Sequence, residues 1–329
     1  MDIMKEIYEK AKTDKKKIIL PESSDIRTLK AAIKAEKEEI AECILIGNKK
    51  QIQKNFKEYD LSNINFIDPE SCENVEIYAN GLYEIRKEKG MTKERAKELI
   101  KDPLYFSTMM LKQGDADGIV AGAVNSTANT LRPALSIIKT GKESKIVSIV
   151  YLIILDNERF GYKGTMIYGD VALVENPSSE ELAYIAKDSA KLFKKLTGKE
   201  PKVALLSYST YGSADSEMTR KVRDATLLAR KVAPEYEFDG EMQFDAALIP
   251  EIAMKKAPES KVAGYANVLI FPNLDAGNIG YKITERMGGA RAYPITLGLA
   301  KPVNDMSRGC SFEDIVGVIA ITAVQAQEG

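Results

Sequence analysis

Gly118-Ile-Val-Ala-Gly-Ala-Val-Asn-Ser-Thr-Ala-Asn-Thr-Leu-Arg-Pro-Ala134 runs from an apolar segment straight into amide and hydroxyl side chains, and then into a helical pattern. An apolar run of this kind, Gly118 to Val124, reads as a strand buried on both faces of a parallel sheet, with its carboxyl end opening onto a polar loop. At such an edge free backbone N–H groups, together with Ser126 and Thr127, can meet an anion. Arg132 lies five residues beyond Thr127 and brings a forked guanidinium to the same helix. The spacing equally fits plain N-capping by Asn125 or Ser126, with Arg132 on the surface.

Working outward, short apolar runs alternate with longer amphipathic segments, the pattern of βα repetition. Lys17 to Leu20, Cys43 to Ile46 and Ile64 to Ile67 read as strands, and Asp25 to Ala41 as a helix with Ile26, Leu29, Ala32, Ile33 and Ile40 on one side. Glu70 to Asp102 reads as helix, broken at Lys89-Gly90 and restarted at Thr92. After the polar stretch Thr140 to Ser144, two strand-like runs, Ile146 to Leu155 and Thr165 to Val174, form an expected hairpin that opens a second domain. Alternating helices and strands follow, and the last pair, Pro294 to Ala300 and Ser311 to Ala326, fits either half.

The chain's 329 residues allow roughly two domains. With 47 basic against 48 acidic side chains the net charge is −1, which removes the broad positive field of a nucleic-acid binder. There is no histidine. That excludes Ser-His and Cys-His nucleophile pairs, imidazole bases and His-containing metal sites, so any proton must move through a carboxylate, Lys, Tyr or Cys. Three dispersed cysteines, Cys43, Cys72 and Cys310, offer no Cys-x-x-Cys pair and point to a reducing compartment. No signal segment begins the chain and no apolar run is long enough to span a membrane, so a cytoplasmic protein without membrane partners is expected.

Three further segments are too polar for their place beside strands. Ser207-Tyr-Ser-Thr-Tyr-Gly-Ser-Ala-Asp215 can line a cleft or simply form a loop. Asn273-Leu-Asp-Ala-Gly-Asn-Ile-Gly-Tyr-Lys282 spaces Gly277 and Gly280 for a helix N-terminus to approach a pyrophosphate, with Lys282 supplying charge; it lacks the Gly-x-Gly-x-x-Gly of a dinucleotide fold. Lys301-Pro-Val-Asn-Asp-Met-Ser-Arg-Gly-Cys-Ser-Phe-Glu-Asp314 reads as a long polar approach to the final helix. There Ser311 and Asp314 have the spacing of a capping box, and Cys310 suits a small packed residue better than a nucleophile.

Five segments together resemble the phosphate acetyl/butyryl transferase family in order along the chain: 122–135, 206–214, 238–247, 267–282 and 301–311. Their text is Gly122-Ala-Val-Asn-Ser-Thr-Ala-Asn-Thr-Leu-Arg-Pro-Ala-Leu, Leu206-Ser-Tyr-Ser-Thr-Tyr-Gly-Ser-Ala, Phe238-Asp-Gly-Glu-Met-Gln-Phe-Asp-Ala-Ala, Asn267-Val-Leu-Ile-Phe-Pro-Asn-Leu-Asp-Ala-Gly-Asn-Ile-Gly-Tyr-Lys and Lys301-Pro-Val-Asn-Asp-Met-Ser-Arg-Gly-Cys-Ser. The resemblance implies a phosphate acetyltransferase: an acetyl group passes between the thiol of coenzyme A and inorganic phosphate, with no tightly bound cofactor and no metal. It implies two three-layer α/β domains with an interdomain cleft, similar to the isocitrate and isopropylmalate dehydrogenases, and a homodimer. The domains would be 1–140 plus 296–329, and 141–295.

Residue by residue, the resemblance implies Asp314 as the base for the CoA thiol, Ser307 as a stabiliser at the reacting centre and Arg308 as a phosphate anchor. Arg132, Arg86, Ser126, Thr127, Cys310 and Lys282 are implied in substrate binding. Met306, Asn125 and Tyr211 depart from the leucine, histidine and lysine common in the family. A carboxylate is a weak base for a thiol unless burial raises its pKa, so Asp314 is expected to be buried. Alternatives are a phosphate butyryltransferase, a non-catalytic module binding CoA esters, and a metal-dependent dehydrogenase, for which no carboxylate cluster is evident.

Overall fold

The computed structural model describes residues 3–327, so the readings at Met1, Asp2, Glu328 and Gly329 lie outside the described residues. Helix α1 (Ile3–Thr13) turns Ile3, Met4, Ile7 and Ala11 inward at helical spacing. Strand β1 (Lys17–Leu20) is followed by α2 (Ile26–Lys37), β2 (Glu42–Ile46), α3 (Lys49–Asn55), β3 (Asn65–Ile67), α4 (Val75–Arg86), α5 (Lys93–Leu99), α6 (Pro103–Gln113), β4 (Gly118–Ala121) and α7 (Thr127–Pro133). Next come β5 (Ser148–Ile154), β6 (Thr165–Gly169), α8 (Ser179–Thr197), β7 (Lys202–Leu206), α9 (Glu217–Val232), β8 (Glu237–Met242), α10 (Phe244–Leu248), α11 (Pro250–Lys256), β9 (Val268–Ile270), α12 (Leu274–Arg286) and β10 (Arg291–Leu297). The chain closes with β11 (Val303–Asp305) and α13 (Phe312–Ala326).

Two compact units result, one holding the chain up to Gly141 and again from Leu299, the other Lys142–Gly298. The first has a parallel sheet in the order β11-β4-β1-β2-β3. One face, with Ile19, Ile44, Ile46, Ile119 and Ala121, packs on Tyr78, Leu82, Phe106 and Met109 of α4 and α6. Against the other lies α13, buried continuously from Ile315 to Val324 and covered in turn by α1 and α2. A helix apolar on all sides belongs inside, and Gly118 lets it come close: a Cβ there would sit 2.5 Å from the Thr322 methyl.

The second unit's sheet runs β10-β5-β6-β9-β7-β8. The expected hairpin is present as the antiparallel pair β5–β6, β10 adds a further antiparallel strand, and β6, β9, β7 and β8 are parallel. The return to the first unit begins at Leu299, not at position 296, because β10 stays paired with β5 through Leu297. Thr92 caps the restart of helix after Gly90, which turns at φ +81°, so the break read at Lys89-Gly90 is where the chain bends. The structure departs from the reading in two ways: α1, α3 and α6 go unsignalled, and the polar approach after Lys301 contains β11.

Candidate active site

Strand β4 stops at Ala121, short of Val124, because Gly122 turns the chain at φ +96°. Only glycine fits: a Cβ would lie 2.2 Å from Asp305 Oδ1 and 2.7 Å from Met306 N. Beyond the turn, the N–H groups of Ala123, Val124 and Asn125 donate to the Glu22 carboxylate at 2.7, 3.1 and 2.8 Å, and the Asn125 amide adds a bond of 2.9 Å. Glu22 is only 7% exposed. The reading of free N–H groups awaiting an anion is therefore overturned, since an internal carboxylate occupies them. Ser126 caps α7 through Asn129 N at 3.3 Å, while Thr127 and Arg132 are exposed.

The neighbouring loop leaves β11. Met306 N donates to Ala121 O at 2.7 Å, which sets the end of β11 beside the end of β4. Asp305 is buried, and its Oδ1 has no hydrogen-bond partner although the hydroxyls of Thr127 and Thr130 face the carboxylate. Burial pushes its pKa up to about 6, helped by the charge of Glu22 and opposed by the two hydroxyls. Ser307, Arg308 and Gly309 are exposed, and neither Arg308 nor Arg132 pairs with a carboxylate among the described residues.

Asp314 completes a capping box: Ser311 N donates to its Oδ2 at 2.9 Å and its own N–H donates to Ser311 Oγ at 3.1 Å. It is partly exposed, so the deep burial expected of the base is not found. Cys310 is buried, and burial pushes its thiol up to about 11 against the pull of Arg27.

The structure thus brings Ser126, Thr127, Ser307, Arg308, Cys310 and Asp314 onto two adjoining loops and the helices that leave them, with Arg132 on α7. Arg86, at the end of α4, has no hydrogen bond or ion pair to these loops among the described residues. Lys282 belongs to the second unit, exposed on α12, 6.0 Å from the Tyr281 ring centroid.

In that unit the glycines of α12 serve packing: a Cβ at Gly277 would meet Asp170 O at 2.4 Å, and one at Gly280 the Phe271 ring at 3.0 Å. The 207–215 hydroxyls are largely spent internally. Ser209 Oγ and Gly212 N both reach Glu241 Oε1 at 2.8 Å, and Tyr211 donates to Asp239. Ser207 and Tyr208, with Lys221, Phe271 and Asn273, line a cavity of about 590 Å³. Among the described residues no cluster of three or more His, Cys, Asp or Glu is placed to hold a metal ion, and no helix is long and apolar enough to cross a membrane.

Residues 2–323 match the family model described as phosphate acetyl/butaryl transferase. The chain belongs to that family. It is 57% identical over 328 residues, 99% of each chain, to the phosphate acetyltransferase of Acetivibrio thermocellus. It matches the structure of the EutD phosphotransacetylase from Staphylococcus aureus with a TM-score of 0.91 at 42% identity, over 99% of this chain and 98% of that one. A branched-chain phosphotransacylase from Enterococcus faecalis shares the fold alone, with a TM-score of 0.63 at 19% identity over 95% of this chain and all of that one.

For this member of the phosphate acetyl/butaryl transferase family, two predictions follow from the buried groups. Cys310→Ala is expected to leave turnover within about threefold, since a thiol titrating at about 11 is ionised only to about one part in ten thousand at neutral pH. Trapping a radiolabelled acetyl group on Cys310 would overturn this.

Asp305→Asn should be stabilising in a pH-dependent way. Below the usual carboxylate value of 3.8, Asp305 is protonated in both folded and unfolded chains and costs nothing. Between 3.8 and about 6 the unfolded chain releases its proton first, so the wild type loses stability as pH rises. Above that the cost levels off at no more than about 3 kcal/mol. Urea unfolding should show the variant's advantage growing from near zero at about pH 3.5 to its maximum at about pH 8; a constant difference would refute the burial cost.

Proposed function

We propose that the chain catalyses reversible acetyl transfer between the thiol of coenzyme A and inorganic phosphate, by direct attack in a ternary complex. Enzymatic acyl transfer to phosphate follows from the family and from relatives alike along the full chain. The observation that carries the site assignment is the loop of Ser307 and the exposed Arg308, which meets no carboxylate among the described residues, set beside the loop of Ser126 and Thr127.

In the proposed step the thiol proton passes to the Asp314 carboxylate, and the thiolate sulfur bonds to the acetyl carbon of acetyl phosphate. The carbonyl oxygen becomes an oxyanion, to which Ser307 donates. As the carbonyl re-forms, the bond from the acetyl carbon to the phosphate oxygen breaks and phosphate leaves with the electron pair. Arg308 and Arg132 neutralise it, with Thr127 as a hydroxyl contact; Ser126 holds the start of α7, and Arg86 binds a more distant part of the substrates. Phosphate leaves readily as an anion, so charge neutralisation matters more than a proton donor. No imidazole is required. We extend the proposal to a homodimer with an architecture of the isocitrate/isopropylmalate dehydrogenase type.

Thiol release from acetyl-CoA, followed with and without phosphate, tests the reaction. Phosphate-dependent release is expected; binding of CoA without turnover would identify a non-catalytic module, and faster turnover of butyryl-CoA a butyryltransferase.

A further inference from the structure

The polar turn after β1 holds both site loops. Glu22 takes the N–H groups of Ala123, Val124 and Asn125. Arg27, the second residue of α2, takes carbonyls from both loops: Nη2 donates to Ala123 O at 2.7 Å, and Nη1 to Arg308 O at 2.7 Å and Cys310 O at 3.0 Å. Its remaining donors lie on Asp25, Nε to Oδ1 at 3.0 Å and Nη2 to Oδ2 at 2.8 Å. All five guanidinium hydrogens are thereby engaged. Asp25 is itself fixed as the N-cap of α2, through Arg27 N at 2.8 Å.

We propose that Arg27 is a positioning residue, which with Asp25 and Glu22 clamps the 123–127 and 307–311 loops in the geometry that acetyl transfer needs. The role assigned to the loops rests on the proposed function; the clamp itself rests on three hydrogen bonds from Arg27 to loop carbonyls and four from the 123–125 segment to Glu22. Ala123 is gripped from both sides, its N–H by Glu22 and its carbonyl by Arg27. The other pair of carbonyls flanks Gly309, so the backbone between Ser307 and the cap of α13 is tied on both sides of that glycine. A lysine cannot replace this fork, because its three hydrogens radiate from one nitrogen and cannot serve Asp25, Ala123 and the 308–310 carbonyls together.

The test uses Arg27→Lys and Arg27→Ala in the full chain, read by steady-state kinetics and by amide hydrogen exchange. Both variants should lose at least about tenfold in kcat with KM values for acetyl phosphate and CoA within about threefold, as misplacement of reacting groups predicts. Exchange in both loops should rise about tenfold or more while β1 and α13 stay protected. Added guanidinium should restore part of the activity of Arg27→Ala, and ammonium should not.

Full activity in Arg27→Lys, unchanged loop exchange, or loosened loops with normal kcat would each overturn the clamp. If Arg27→Ala fails to fold, Arg27→Lys decides. A wild type without phosphate-dependent thiol release would instead sink the proposed function, while the exchange measurement still decides whether Arg27 holds the loops.

Discussion

Asp314→Asn is expected to lower kcat by about a hundred- to ten-thousandfold, the range for a lost general base, while the thermal midpoint moves by no more than about 2 °C. Two roles compete for this carboxylate. It closes a capping box with Ser311, at 2.9 and 3.1 Å, and it is the proposed acceptor of the thiol proton. Asparagine separates them, because its side-chain oxygen can accept the Ser311 N–H as a carboxylate does but cannot take a proton from a thiol. KM values should change little, since the lost interaction develops during proton transfer. Asp314→Ala should lose both roles and show a lower midpoint as well. Turnover within about threefold of wild type in the asparagine variant would leave Asp314 as a cap only.

Arg308→Gln is expected to reduce kcat/KM for acetyl phosphate by about a hundred- to a thousandfold, the scale for removing one donor aimed at developing charge. Its side chain is exposed and meets no carboxylate among the described residues, so no internal partner is left stranded and the fold should be untouched. Arg308→Lys should recover the charge but not the forked geometry, and so fall between the two. A normal kcat/KM in the glutamine variant, measured below saturation, would remove Arg308 from the phosphate side of the reaction.

The α/β character was legible wherever a strand sits between two covered faces. Lys17 to Leu20 reads as a strand because a short apolar run ends at a proline and a polar cluster, and it is one. Strand β11 escaped notice because Val303-Asn304-Asp305 has no apolar run. Its central Asn304 is fully buried, with its amide donating to Thr322 Oγ1 and Gln325 Oε1, both at 2.7 Å, and no local pattern encodes partners so far along the chain. Asp305 was missed for the same reason. Helix α1 hid in a segment whose charges dominate its composition.

The loop residues of the site were visible as polar side chains at strand ends, but what occupies the loop was not. The sequence around Val124 suggests open N–H groups, and only the fold shows that Glu22 reaches them from the end of another strand. A signal existed: Pro21-Glu-Ser-Ser-Asp25 is itself a polar run at the carboxyl end of a buried strand, the same class of position as 125–127. The roles of Ser307, Arg308 and Asp314 came from family resemblance, since spacing alone favours a capping box for Ser311 and Asp314.

The order β11-β4-β1-β2-β3 carries a consequence for biosynthesis. Strand β11 and helix α13 are translated after the whole of the second unit, yet they supply an edge strand and the buried central helix of the first. On the ribosome the second unit can therefore finish folding while the first, begun earlier, still exposes the face that α13 will cover. The same late segment brings Ser307, Arg308 and Asp314. Completion of that hydrophobic core and arrival of the proposed catalytic groups are one event, and a nascent chain halted before it has neither.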